Sequence, residues 1–417
     1  MSKKIVIIGA GVIGLSTAAE CVRRGFRVTV IERRGAQRDG CSFGNAGMIV
    51  PSHFIPLAAP GMVALGLKWM WNPESPFYIK PRLSPDLAAW SYRFWRAATP
   101  AHVTRSAPLL RDLNLASRER YVELAGHENF GLVKKGLLML CKTAQALNHE
   151  AQTAEQARNL GVPAEVLDPK ATAELDPSVT MDIAGSVYFP KDCHLQPERY
   201  VSLLESRIRA AQGESALLFD TEVIGWKREG NRLAAVQTSR GEIEADEFIL
   251  CGGSWSTSIA EDLGLRIPME AGKGYSITVP NPVELPQICS IFTEARVAVT
   301  PMGGSLRFSG TMEIAGLNEK INPRRIEGIL KAVPQYYPTF RREHFDGIEP
   351  RCGLRPCSPD GMPYLGRTQA ARNLIVATGH SMMGLSLAPI TGEIAAQIAA
   401  DETPQFDLTL LAPDRYA

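Results

Sequence analysis

The strongest constraint on this chain lies in its first 32 residues. Lys4–Ile8 reads KIVII, a β-branched apolar run with the character of a strand. Gly9-Ala10-Gly11-Val12-Ile13-Gly14 follows, a GxGxxG. Residues 15–24 then read as a helix, with Ala18 and Ala19 available for close packing, and Gly25 stops it. A second apolar run, Arg27–Ile31, ends at Glu32 and Arg33. Each part has a physical reason. Gly9 allows the tight turn out of the strand, Gly11 leaves room for a pyrophosphate against the backbone, and Gly14 lets the helix pack on the sheet. The helix start at Val12 and Ile13 offers unpaired N–H groups to phosphate. Glu32 stands where a carboxylate accepts hydrogen bonds from ribose hydroxyls and repels a 2′-phosphate, which disfavours NADP. Strand, turn, helix, strand and acid in this order predict a Rossmann-type dinucleotide-binding unit. The motif alone does not choose FAD over NAD.

The rest of the composition narrows the class. A chain of 417 residues is too long for one ordinary domain. Lys and Arg number 45 against 44 Asp and Glu, a net charge of +1, so there is no electrostatic footprint for nucleic acid. The eight cysteines form no CxxC pair and no metal-ligand spacing, and are expected to be reduced and packed as small apolar groups. No metal is expected. The run before Gly9 is too short for a signal core, and no segment has the length of a transmembrane helix. A cytoplasmic location is expected.

Downstream of Glu32, Cys41-Ser42-Phe43-Gly44-Asn45-Ala46-Gly47-Met48 is a small, polar, glycine-rich loop. Prolines 51, 56 and 60 and then Trp69, Trp71, Trp90 and Trp95 follow it. Residues 221–226 and 233–238 look like a meander leading to DEFILCGG at 246–253. Gly353-Leu354-Arg355-Pro356 comes later, and last NLIVATGH at 373–380 followed by Ser381-Met382-Met383-Gly384-Leu385. In these features the chain resembles the D-amino-acid oxidase and glycine oxidase superfamily of FAD-dependent oxidoreductases, and within it the bacterial D-amino-acid dehydrogenases. The resemblance implies an α/β chain. It would have a glutathione-reductase-like FAD domain and an interleaved α+β substrate domain on an antiparallel sheet. It also implies that Ser42, Asn45, Gly47, Val223, Gly379, His380, Gly384 and Leu385 lie along the FAD. Neither Cys352 nor Cys357 falls on the position where sarcosine oxidases attach their flavin, so the FAD is expected to be non-covalent.

The FAD domain is expected to comprise residues 1–60, 186–265 and 345–417, and the substrate domain residues 61–185 and 266–344. Within the latter, residues 87–95 and 109–125 read as helices, and residues 274–279, 297–300 and 306–310 as strands. Oxidising an amino acid at flavin is mainly a matter of aiming its Cα–H. Arg355 is the leading candidate to hold the carboxylate, because a guanidinium fork matches it and the family's similar Gly-x-Arg-Pro does so. Tyr275, on a strand expected to face the flavin, is the second. Arg307 is the third, alternating with Leu306 and Phe308, with the pocket and the solvent both open to it. It stands where sarcosine oxidases carry a lysine. His53 and His380 are the histidines nearest the motifs, and no base is strictly required.

The implied activity is oxidative deamination of D-amino acids, with electrons passed to quinone or another acceptor than oxygen. The alternatives are a peroxide-forming glycine, sarcosine or D-amino-acid oxidase, a dehydrogenase of D-proline-type substrates, and a flavin-fold subunit without turnover. The tryptophan-rich stretch from residue 69 to 95 also holds Lys68, Lys80, Arg82, Arg93 and Arg96 at or near it. It reads either as core with snorkelling basic residues or as a peripheral contact with the inner face of the plasma membrane. A homo-oligomer is left open.

Overall fold

The computed structural model describes residues 2–38, 40–70 and 74–417. Lys4–Ile8 lies mid-sheet, paired in parallel with Arg27–Ile31 on one side and Glu247–Leu250 on the other. The sheet extends to Leu217–Leu218 beyond Arg27–Ile31. Beyond Glu247–Leu250 it adds parallel Ala371–Thr378 and then antiparallel Tyr364–Thr368. Its inner strands are apolar on both faces because both faces are covered. Ile5 and Ile7 pack on one side among Leu15, Tyr200, Leu387 and Ile394, from three helices: Val12–Arg23, Pro197–Gln212 and Gly384–Ala399. Val6 and Ile8 pack on the other against Leu233 and Val236. Those belong to the meander formed by Val223–Glu229, Arg232–Thr238 and Gly241–Glu244. The first and last long helices touch backbone to backbone. A Cβ on Gly392 would lie 2.6 Å from the carbonyl carbon of Ser16, so only glycine fits there.

The second, mostly antiparallel sheet runs from Arg351–Cys357 through Glu270–Pro280, Ser305–Ile314, Val297–Met302 and Cys289–Phe292. It then continues to Leu137–Cys141, Gly185–Phe189 and Glu165–Leu167. Phe77–Ile79 adds a short parallel pairing to Ser305–Ile314. Gly185–Phe189 and Arg351–Cys357, placed by sequence with the FAD domain, hydrogen-bond into this second sheet. Helix Pro323–Tyr336 covers one face, its Ile329, Val333 and Tyr336 packing on Tyr275, Ile277, Val297 and Phe308. The other face turns toward the glycine-rich loop at 41–47: Ser276 Oγ would be 3.6 Å from a Cβ on Gly44.

Two helices start earlier than their hydrophobic patterns suggest, for the same reason. Ser84 accepts the Leu87 N–H and Thr99 accepts the His102 N–H, each followed by a proline in the first turn. Pro85–Ala97 and Pro100–Ala125 therefore replace the helices expected over 87–95 and 109–125. Pro108 sits inside the longer one and had masked its first two turns.

Candidate active site

A cavity of about 350 Å³ runs between the two sheets, from Glu32 past Gly9 and Gly11 to Arg355 and the start of helix Gly384–Ala399. At the turn after Lys4–Ile8, Gly9 has φ +102°, and a Cβ there would lie 2.6 Å from the Cys251 carbonyl oxygen. Glu32 is fixed by two backbone donors: Ala10 N–H reaches Oε2 at 2.9 Å, and Arg34 N–H reaches Oε1 at 3.0 Å. Val12 N–H is held by Ser42 Oγ at 2.9 Å, so the loop at 41–47 closes on the helix start. Val12, Ile13, Arg33, Ser42, Asn45 and Val223 all line the cavity. Gly47 and Gly379 do not. Both have positive φ and shape turns, Gly47 packing on the Leu195 carbonyl and Gly379 on the Tyr364 ring.

At the far end, His380, Gly384 and Leu385 line the cavity. Met383 at the helix N-cap supplies no side-chain hydrogen bond, so the first-turn N–H groups keep their positive field. The His380 ring is turned away, with Nε2 3.0 Å from Thr391 Oγ1 in the helix. Burial lowers its pKa to about 3.

Arg355 reaches the cavity from strand Arg351–Cys357. Its guanidinium lies over Gly274, where a Cβ would be 2.3 Å from Cζ. Nη1 donates to the Thr311 carbonyl at 2.7 Å, and among the described residues no carboxylate pairs with it. Thr311 is an unmarked part of this arrangement. The pairing of Glu270–Pro280 with Ser305–Ile314 skips from Lys273↔Glu313 to Tyr275↔Gly310, leaving Thr311 and Met312 opposite Gly274. Thr311 has φ +68°, which is costly for a β-branched residue. The bulge aims its carbonyl at Arg355.

Tyr275 and Arg307 are not brought to this cavity. Lys273, Tyr275 and Ile277 share the face under helix Pro323–Tyr336, while Gly274 and Ser276 face the glycine-rich loop. The Tyr275 hydroxyl donates to Glu313 Oε2 at 2.6 Å, and burial first, then that carboxylate, push its pKa up. The expectation that Tyr275 faces the flavin is thereby corrected: strand alternation turns it to the opposite side. Arg307 is buried and its donors are committed. Nε donates to Thr278 Oγ1 at 2.9 Å, Nη1 to the carbonyls of Phe43 and Asn45 at 3.1 and 2.8 Å, and Nη2 to Glu198 at 2.6 Å. It clamps the loop at 41–47 rather than facing the cavity or solvent.

Two groups on the cavity wall were missed by sequence reasoning. Arg38, buried and paired with Glu205, donates to the Ala10 carbonyl at 2.9 Å and places a positive charge at the GxGxxG turn. Trp255 carries the Arg33 guanidinium 3.8 Å above its ring. Neither has a local signature, because an arginine after Glu32 and a tryptophan after Gly253 both read as ordinary surface or core.

Among the described residues no cluster of three metal-binding side chains occurs. Neither Cys352 nor Cys357 lines the cavity, and burial pushes the Cys357 thiol up to about 12. Trp90 is buried, its Nε1 donating to the Cys357 carbonyl at 2.9 Å. Trp71 lies outside the described residues. Among those described, no helix is long and apolar enough to cross a membrane.

The family described as FAD dependent oxidoreductase matches residues 4–398. A protein of Granulibacter bethesdensis named D-amino acid dehydrogenase is 30% identical, the alignment covering 99% of this chain and 100% of that one. One of Rhizorhabdus wittichii with the same name is 31% identical, again over 99% and 100%. Among solved structures, glycine oxidase from Geobacillus kaustophilus superposes with a TM-score of 0.74 at 22% identity over the full length of both chains. L-proline dehydrogenase from P. horikoshii does so with a TM-score of 0.72 at 19% identity, covering 100% of this chain and 98% of that one.

Proposed function

The chain belongs to the family of FAD dependent oxidoreductases, and on that premise we propose that it oxidises D-amino acids as a dehydrogenase. The cavity fits FAD by its own chemistry. Glu32 stands ready for a ribose, the Gly9–Gly11 turn and Arg38 for a pyrophosphate, and the uncapped helix start at Gly384 for the electron-rich end of a flavin. FAD held there would supply a hydride acceptor for the substrate carbon.

One observation carries the substrate reading. Arg355 opens into the cavity with a single hydrogen bond, to a backbone carbonyl held by a strained bulge, and with no carboxylate partner among the described residues. A guanidinium so placed has donors left for a substrate carboxylate. Arg355 fixes that carboxylate, Thr311 fixes Arg355, and Arg307 holds the loop at 41–47 over the cavity. The names of the relatives supply the D-configuration and the dehydrogenase character. The FAD is held non-covalently.

The test is anaerobic mixing of the holoenzyme with D- and L-amino acids, glycine, sarcosine and D-proline, followed by air. Loss of the flavin's visible absorbance with D-amino acids, and slow recovery in air, is the expected result. Rapid recovery with peroxide makes the protein an oxidase, and no reduction by any amine refutes the substrate class.

The electron acceptor on this reading is a quinone in a membrane. Leu67, Leu83, Tyr92 and Trp95 are exposed, Leu83 and Trp95 at 108% and 61%, with Lys68, Lys80, Arg93 and Arg96 near them in the chain. Exposed apolar and aromatic side chains among basic ones suit peripheral contact with anionic lipid. Co-sedimentation with anionic vesicles that survives Trp95→Ser together with Leu67→Ser removes this part of the proposal.

A further inference from the structure

Tyr275 and Glu313 lie on the face of the second sheet that turns away from the cavity, and the reading above gives them no task. They meet across the register skip between Glu270–Pro280 and Ser305–Ile314. In a regular strand, residues two apart share a face. Gly310 and Glu313 are three apart, yet both lie on the helix-covered face. Gly310 is opposite Tyr275 and against Ile329, and Glu313 is opposite Lys273. The extra residue is taken up between them, at Thr311 and Met312.

The bulged backbone is held from several directions. Met312 N–H donates to the Pro76 carbonyl at 2.7 Å, and Phe77–Ile79 pairs in parallel with Met312, Glu313 and Ile314. The Met312 side chain lies over Gly272, in one cluster with Cys357 and Trp90. On the opposite face the Tyr275 hydroxyl donates to Glu313 Oε2 at 2.6 Å, tying one side of the skip to the other. Around this bond stand buried charges. Lys273 Nζ is 3.7 Å from the same Oε2 and donates to the Lys320 carbonyl at 2.8 Å. Arg325, from helix Pro323–Tyr336, turns a second positive charge toward Glu313. Its Nη1 donates to the Ser75 carbonyl at 2.9 Å, and its guanidinium lies 4.5 Å from the Tyr78 ring. What this group surrounds is Thr311, a β-branched residue at φ +68° that relaxes unless it is held.

We propose that the Tyr275–Glu313 bond is a staple that keeps Thr311 in its left-handed conformation and thereby sets the position of the Arg355 guanidinium from the far side of the sheet. Buried ion groups contribute little net stability, and the use of this one is geometric. Tyr275 and Glu313 are positioning residues. Neither lines the cavity, and both act through the Thr311 carbonyl, which accepts from Arg355 Nη1 at 2.7 Å. The effect on substrate rests on the amino-acid reading above; the effect on Thr311 does not.

Tyr275→Phe removes one oxygen and cuts the staple. In crystals of the variant holoenzyme, Thr311 is expected to leave positive φ and its carbonyl to move out of hydrogen-bond reach of Arg355. Anaerobic flavin reduction by a D-amino acid reads the consequence. The concentration giving half the limiting rate should rise roughly 10-fold, the low end for a bond to a charged acceptor, while the limiting rate falls less than about threefold. Propionate, which offers a carboxylate alone, should lose affinity by the same factor, measured by its perturbation of the flavin spectrum. Glycine adopts positive φ without strain. In a Thr311→Gly background, Tyr275→Phe should therefore shift the half-maximal concentration less than about twofold. A tyrosine that only packs the core would lower the melting temperature alike in both backgrounds and leave that concentration unmoved in each.

An unmoved Thr311 in the variant crystal, no loss of affinity, or an equal loss in both backgrounds overturns the staple. If no amino acid reduces the wild-type flavin, the functional reading fails separately, and the crystal structures of wild type and Tyr275→Phe still decide whether the staple holds Thr311. Should Tyr275→Phe not retain FAD, Glu313→Gln, which leaves Tyr275 a neutral acceptor, carries the same comparison. Its loss should be roughly threefold, and absent in the Thr311→Gly background.

Discussion

Gly274→Ala displaces Arg355 without removing it. The backbone at Gly274 has no positive φ, so alanine is conformationally acceptable there. Its new Cβ would lie 2.3 Å from Arg355 Cζ and from both terminal nitrogens, where ordinary contact begins at 3.4 Å. The guanidinium is the free end of a flexible side chain, so it moves by about 1 Å and the fold absorbs the change. A misplacement of that size at a positioning group costs about 10²-fold. Arg355→Ala deletes the charge-assisted pair instead, about 3–5 kcal/mol, or roughly 10²–10⁴-fold in kcat/KM. The assay is steady-state oxidation of the best D-amino acid with an artificial acceptor, on holoenzyme with an unchanged flavin spectrum. Since both changes act on one contact, they must not add: in an Arg355→Ala background, Gly274→Ala should change kcat/KM less than twofold. Equal losses from Gly274→Ala in both backgrounds, or no loss in wild type, would refute the claim that Arg355 anchors substrate from above Gly274.

Glu32→Ala removes the carboxylate held by Ala10 and Arg34 and should weaken FAD binding by about 10- to 100-fold, the worth of a hydrogen bond to a charged group, measured by titrating apoprotein with FAD. Asp192 carries a folded-state pKa raised from 3.8 to about 7, so its ionisation costs the fold on the order of 4 kcal/mol at high pH, a cost that fades as pH falls through 7 toward 3.8. Asp192→Asn should therefore raise Tm more at pH 8 than at pH 5, and an equal gain at both argues against a buried ionising carboxyl. Arg415→Ala leaves Asp360 without the guanidinium that donates to it at 2.8 and 3.0 Å, and should cost about 3–5 kcal/mol of unfolding free energy by denaturant titration.

The dinucleotide turn was legible because its demands are local: a glycine at positive φ, a helix start and an acid at a strand end are all written within one βαβ unit. The substrate side was harder. Period-two alternation assigns Tyr275 and Arg307 to faces of their strands, but which face meets the cavity depends on helix Pro323–Tyr336, which comes later in the chain and packs over Tyr275. The Thr311 bulge has no signature in SLRFSGTMEI, since the register skip shows only against the partner strand. Gly47 and Gly379 show the ambiguity of glycine, which marks positive φ and close ligand approach alike. A strand's own residues do not reveal which sheet it joins, as with Arg351–Cys357, which pairs with Glu270–Pro280.

The contact of Gly392 with Ser16 has a consequence for biosynthesis. The βαβ unit with the phosphate turn is made before the rest of its sheet, yet its helix rests on a partner 376 positions later in the chain. Strand Ala371–Thr378 completes the same sheet just before that partner helix. Until residues 384–399 are made, the part of the first helix that packs on them has no cover. The cover for that face is made long after the face itself, which is the kind of long-range contact that slows folding and leaves apolar surface exposed until it forms.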